Sequence, residues 1–204
     1  MKTWKFEFDP NNREIATGCY SIMFFDLDSM VKTLEISNDS KYIYSLCFIN
    51  TDIFAVGNAN GSIYIYSKEE KRKRHKMEDN SLAIRAMAYD SFNKRLLAAS
   101  DDLHINLIDA ERFNVITQMV GHKDNISALA VNSLLGIYAS ASNDGCVKLW
   151  DIKQAKCIQT INLNSSSSRE SFSDANSLWD IEFSVSGKEL ICGSDNGCQI
   201  LTLA

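Results

Sequence analysis

Residues 121–151 read GHKDNISALAVNSLLGIYASASNDGCVKLWD, and this stretch decides the fold. Short apolar runs from Ile126 to Val131, Ile137 to Ser142 and Val147 to Asp151 are bounded by polar turns. Their length and period fit strands rather than a helix. The tight turn Asn143-Asp144-Gly145 joins the second run to the third, and a fourth run, Cys157 to Ile161, follows. The spacing predicts four antiparallel strands, the first innermost and the fourth outermost.

Working outward, the same grammar recurs along the chain. The strand ending at Trp150 aligns with strands that place Phe25, Tyr66, Ile108 and Thr202 in the equivalent position, at spacings of 41, 42, 42 and 52 residues. About 42 residues and four short strands per unit is the signature of a β-propeller blade. A β-sandwich would not give equal spacing. The expected architecture is all-β: one propeller region over 1–204, with about five four-stranded blades at approximately 1–37, 38–78, 79–120, 121–163 and 174–204. A Ser-rich insertion occupies 164–173.

Gly121-His122, Ser140, Asp144 and Trp150-Asp151 resemble a complete WD repeat, and the chain is identified by them as similar to the WD-repeat β-propeller family. The resemblance implies a hydrogen-bonded chain from the Trp150 indole through Ser140 and His122 to Asp144. The other four units have no His at the place of His122 and put another residue at the Trp position, so apolar packing is expected to hold them. A His, a Ser and an Asp also suggest a hydrolase triad, but no nucleophile elbow accompanies them. The expectation is a strut.

The fifth unit stops after its third strand, at Leu201-Thr202-Leu203-Ala204, and the first begins close to Met1. Propellers span about 4 to 8 blades. The reading is an incomplete part of a seven-bladed propeller, its open edge covered by further blades or by a second chain.

Composition excludes other classes. The chain is 45% hydrophobic and 23% charged, which suits a folded core. With 21 Lys plus Arg against 26 Asp plus Glu it has no global positive field for nucleic acid. The run Lys71-Arg72-Lys73-Arg74-His75-Lys76 is the exception. It reads as an exposed outer strand, with an import signal or phosphate contact as the alternative. Six cysteines show neither CxxC pairs nor zinc spacing and are expected to be buried, reduced packing residues. No metal, cofactor, small-molecule substrate or membrane span is expected, and the location is read as cytoplasmic, with a nuclear pool open. The loop Ser165 to Ser168 is a polar spacer or a modification site.

One position per unit, near the start of the innermost strand, faces the channel rim in this family: Trp4, Tyr44, Arg85, Ser127 and Trp179. Aromatics and Arg are the residues that anchor protein interfaces. These five are the candidate partner-binding residues. More specifically, the phrases Leu82-Ala83-Ile84-Arg85-Ala86-Met87, Gly57-Asn58-Ala59-Asn60-Gly61 and Leu178-Trp179-Asp180-Ile181 resemble blades of the WD-repeat subunits of the superkiller (SKI) RNA-decay complex, also found in the polymerase-associated-factor elongation complex. That resemblance implies a non-enzymatic scaffold with a tetratricopeptide-repeat protein and a helicase as partners in exosome-dependent mRNA decay. The alternative is a substrate receptor of a ubiquitin ligase or a signalling adaptor.

Overall fold

A computed structural model describes residues 5–38, 42–78, 82–163 and 177–203. The regular structure of these residues is entirely β, in five antiparallel sheets. Blade one comprises β1 (Lys5–Phe8), β2 (Glu14–Gly18), β3 (Ser21–Asp26) and β4 (Lys32–Ser37). Blade two is β5 (Ile43–Phe48), β6 (Ile53–Asn58), β7 (Ile63–Ser67) and β8 (Arg72–Met77). Blade three is β9 (Ile84–Asp90), β10 (Arg95–Ser100), β11 (His104–Asp109) and β12 (Asn114–Val120). Blade four is β13 (Ile126–Asn132), β14 (Ile137–Ser142), β15 (Cys146–Asp151) and β16 (Cys157–Asn162). Blade five contains β17 (Leu178–Phe183), β18 (Glu189–Ser194) and β19 (Gly197–Thr202), three strands among the described residues. Candidate residue Trp4 and the Ser165 to Ser168 loop lie outside the described residues.

The blades stack through a repeated knob and seat. Ile43, Ile84, Ile126 and Leu178, each at the head of an innermost strand, are buried. Each faces a small residue in the second strand of the preceding blade: Gly18, Gly57, Ala99 and Ala141. At Gly57 a Cβ would lie 2.6 Å from Ile84 Cγ2, so only glycine allows this approach. Burying one such aliphatic side chain is worth about 1.5–3 kcal/mol. Four apolar clusters bridge blades one to two, two to three, three to four and four to five. No such cluster joins blade five to blade one among the described residues, and Phe6, Phe8, Ile191 and Ile200 stay exposed. The blades form an arc.

The turns repeat as faithfully as the strands. The residue closing each third strand caps the following hairpin: Asp26 accepts from Ser29 N (2.8 Å), Ser67 Oγ from Glu70 N (3.1 Å), Asp109 from Glu111 N (3.0 Å) and Asp151 from Gln154 N (2.6 Å). Each turn then passes through a left-handed residue, Met30, Lys71, Phe113 or Ala155, with φ of 57°, 53°, 53° and 51°. This is the geometry of a hairpin loop built on a type I turn.

Two expectations are corrected. Cys19, Cys47 and Cys192 are buried, but Cys157 and Cys198 are exposed and Cys146 is half-buried. Cys157 begins the outermost strand β16, where almost every residue faces water, and Cys198 lies on β19, the edge of its sheet. Nor does blade two rely on apolar packing alone. Tyr66, at the position of Trp150, donates its hydroxyl to Asn38 Oδ1 (3.0 Å), and Asn38 Nδ2 donates to Asn58 Oδ1 (3.1 Å). Asn38 precedes Tyr66 by the same 28 residues that separate His122 from Trp150. An amide and a phenol have replaced the imidazole and indole.

Candidate functional site

Each described rim residue is the extra residue of a β-bulge. In β5, Ile43 pairs with Asn58 and Ser45 with Gly57, so the register steps over Tyr44. Arg85 is skipped in the same way between Ile84 and Ala86, Ser127 between Ile126 and Ala128, and Trp179 between Leu178 and Asp180. A bulge turns one side chain out of the pleat and tightens the local twist. Four bulges in register therefore aim four side chains at one place. They border a central cavity of ≈ 640 Å³ whose wall also includes Lys5, Glu7, Asp180 and Glu182.

The rim side chains are held rather than loose. The Arg85 guanidinium binds Asp101 with both arms (Nε to Oδ1 2.6 Å, Nη2 to Oδ2 2.8 Å), and its carbon lies 5.0 Å from the centre of the Tyr44 ring. Hydrogen bonding to Asp101 raises the Arg85 pKa further. The Trp179 indole, although 60% exposed, donates to Asp195 Oδ1 (2.7 Å). Arg85 and Trp179 occupy equivalent bulges, and Asp101 and Asp195 each lie 16 residues later, just after the second strand. The sequence reading missed these two carboxylates because an Asp beside a turn looks like a turn former. The common offset of 16 was the available signal. Ser127 differs: its hydroxyl donates to the carbonyls of Ala141 (3.2 Å) and Leu178, the latter in the next blade. It serves as a strut.

Below the rim the wall is acidic. Burial pushes the Glu7 carboxyl up to about 7, against the lowering effect of Lys5 and with Glu182 and Asp180 adding to the rise. Glu182 is raised for the same reasons, burial first. With Arg85 already paired to Asp101, the mouth presents aromatic faces and carboxylates.

The four residues of the complete repeat come together in blade four. Trp150 Nε1 donates to Ser140 Oγ (2.8 Å), Ser140 Oγ lies 2.7 Å from His122 Nε2, and His122 Nδ1 lies 3.0 Å from Asp144 Oδ2. Since Ser140 accepts from the indole, its own proton goes to Nε2, which leaves Nδ1 to donate to Asp144. Asp144 also accepts from Lys123 N and Cys146 N, and despite its burial these bonds pull its pKa down to about 2. Ser140 is wholly buried, and its oxygen is spent on Trp150 and His122. This arrangement fastens strands together and offers no approach for a substrate to Ser140.

Part of the basic run is paired where it stands. On β8, Arg74 pairs with Glu70 (2.7 Å), Arg72 with Glu70 (2.9 Å) and Lys76 with Glu78 (2.5 Å), while Lys73 Nζ sits 3.8 Å above the Tyr64 ring. Among the described residues no His, Cys, Asp or Glu group is arranged to hold a metal.

The repeated blades, the bulged rim and the buried strut agree with a comparison across known families. The profile described as "Nucleolar protein 10-like, N-terminal domain", a β-propeller, matches residues 7–202. The chain belongs to this propeller family. Among relatives of the propeller, WD repeat-containing protein 55 of Arabidopsis thaliana is 24% identical over 192 residues, covering 74% of this chain and 53% of that protein. The guanine nucleotide-binding protein subunit beta of Saccharomyces cerevisiae is 25% identical over 189 residues, 86% of this chain and 42% of its own length. The striatin homolog of Dictyostelium discoideum is 24% identical over 162 residues, 72% of this chain and 20% of that protein. The chain spans about half or less of the length of these relatives. WD-repeat propellers of this kind generally act as protein-interaction scaffolds.

Proposed function

We propose that this propeller captures a short segment of a protein partner at the channel mouth, as the fixed part of a larger assembly and without catalysis. The observation that carries the reading is the set of four bulges delivering Tyr44, Arg85, Ser127 and Trp179 to one ≈ 640 Å³ cavity. Trp179 and Tyr44 supply broad faces at small entropic cost, and the Asp101 and Asp195 clamps fix their surroundings before binding. The acidic wall favours a segment with a basic side chain entering beside an aromatic or aliphatic one.

Two assemblies are compatible with such a site. The phrases around Arg85 and Trp179 support a place in the SKI complex, with a tetratricopeptide-repeat protein and a helicase as partners and a cytoplasmic location. The family match over residues 7–202 supports instead an assembly of the nucleolar protein 10 type, in the nucleus. Affinity purification of the tagged full-length protein separates them. A helicase and a tetratricopeptide protein in the eluate support the first, nucleolar proteins the second, and a cullin neither. With the partner in hand, Trp179→Ala should weaken capture about thirtyfold, the loss expected for a central interface aromatic worth about 2 kcal/mol, while Lys73→Ala should not. Normal binding by Trp179→Ala, with an unchanged circular dichroism spectrum, would remove the rim from consideration.

A further inference from the structure

The end of the propeller opposite the rim carries a second feature. Each innermost strand ends there in a turn to the second strand, and the tips of these turns in blades three, four and five are apolar. Phe92 is 80% exposed, Leu134 88%, Leu135 52% and Val185 104%. The corresponding tips in blades one and two, around Asn11 and Asp52, are polar. Isolated apolar side chains on a surface need no explanation, but a row of them along three neighbouring turns does.

The row is rigid. Ser133 Oγ, beside Leu134, donates to Asp90 Oδ1 of the neighbouring turn (2.7 Å), and Tyr138 donates to the other Asp90 oxygen (3.1 Å). On the far side, Asn132 Nδ2 donates to the Gly187 carbonyl of the blade-five turn (3.1 Å). Buried hydrogen bonds thus tie the three turns into one ledge. A cavity of ≈ 200 Å³ opens between Leu134 and Val185, floored by Phe183. A second, of ≈ 520 Å³, lies between blades three and four beside Arg95, Ile116 and Lys153.

The turns around the ledge carry an excess of cations. Lys94, Arg112, Lys153, Lys156 and Lys188 occupy the turns at this end of blades three to five, all exposed and none in an ion pair among the described residues. Glu111 and Glu189 are exposed acids beside them, Asp109 and Asp151 close strands at the same end, and Glu182 lines the smaller cavity. In blades one and two the same turns hold Asp26, Asp28, Asp52, Glu69 and Glu70 beside Arg13, Lys68 and Lys71, so the excess of cations belongs to blades three to five. Unpaired cations beside exposed apolar turn tips complement a segment that alternates acidic with bulky apolar side chains.

We infer that the ledge formed by Phe92, Leu134 and Val185 is a second docking surface, separate from the rim, for an acidic and apolar peptide segment of a protein partner. The apolar side chains of the segment pack on Phe92, Leu134 and Val185, and its carboxylates meet Lys94, Lys153 and Lys188. A phage-displayed random peptide library selected on the whole protein tests this. Peptides competed by one another and lost on Leu134→Ser/Val185→Ser should be enriched in Asp and Glu next to Leu, Ile or Phe. Their dissociation constants should rise about tenfold or more in that variant and in Lys94→Glu/Lys188→Glu, and rise with added salt. Trp179→Ala should bind them unchanged, which distinguishes the ledge from the rim. Both side chains replaced in the first variant are exposed, so its fold is expected to persist, as circular dichroism would show. Selection of no ledge-dependent peptide, or of basic ones, overturns the inference. So does sedimentation of the wild type, but not of the ledge variant, with phosphatidylserine vesicles in the absence of peptide selection, since the surface would then belong to a membrane.

Discussion

Blades two and four solve one problem with different chemistry. In blade four an indole, a hydroxyl, an imidazole and a carboxylate run in sequence from Trp150 to Asp144. In blade two a phenol and two amides, Tyr66, Asn38 and Asn58, link the corresponding places, and Val56 stands where Ser140 would relay the bond. The phenol extends far enough to reach Asn38 directly. What these two blades share is a satisfied polar bridge between the third strand and the segment that enters the blade; where the bridge is made, the residue types are interchangeable so long as donors and acceptors balance.

The strongest way to break the comparison is to remove its largest members. Trp150→Ala and Tyr66→Ala should each lower stability by about 3–5 kcal/mol in urea denaturation, because both side chains are fully buried and leave a cavity as well as unpaired groups. If only Trp150→Ala does so, blade two does not use its tyrosine as blade four uses its tryptophan. Next in size are the central residues. His122→Ala strands Ser140 and Asp144, and Asn38→Ala strands Tyr66 and Asn58, so each should cost about 1–3 kcal/mol by the same assay. The seams differ in a third test. Gly57→Ala places a Cβ against Ile84 and should cost about 1–3 kcal/mol. At the equivalent Ala141 of blade four, Ala→Gly should cost only about 0.5–1 kcal/mol, an entropic loss without a clash.

The smallest effect sharpens the contrast most. Asp144 is held at about 2 in the fold against 3.8 for a free aspartate, so its contribution is complete above 3.8 and is lost as pH falls towards 2. Blade two's bridge has no group that titrates in that window. The cost of His122→Ala should therefore shrink between pH 5 and about pH 2.5, whereas that of Asn38→Ala should stay constant, as thermal melts at both pH values would show.

How legible these features are in the sequence follows from the same contrast. Blade four could be read directly, because Gly121-His122, Asp144 and Trp150-Asp151 use the residues by which the repeat is known, and the strand limits at Ile137, Ser142, Asp151 and Cys157 agree with the structure. The Tyr66 to Asn38 bridge was invisible to a search for identities. It shows only when the equivalent positions are compared for their capacity to donate and accept. The rim positions were legible from their place at the head of each innermost strand. Their clamps were not, because Asp101 and Asp195 are joined to Arg85 and Trp179 only through the fold. For Cys157 and Cys198, strand propensity says nothing about which strand is outermost, and that alone decides whether a thiol meets water.

The bulges have a consequence for how such a molecule can diversify. Tyr44, Arg85, Ser127 and Trp179 are the residues that the ladder steps over, so exchanging one of them changes no cross-strand pair and disturbs no register. The side chains presented at the mouth are thereby uncoupled from the instructions that build the blades. Blade three and blade five already hold an arginine and a tryptophan on the same mounting, each steadied by an aspartate. One scaffold can thus change what its mouth presents by single substitutions at Tyr44, Arg85 or Trp179, while Ser127, bonded to Ala141 and to Leu178 of the next blade, stays a strut.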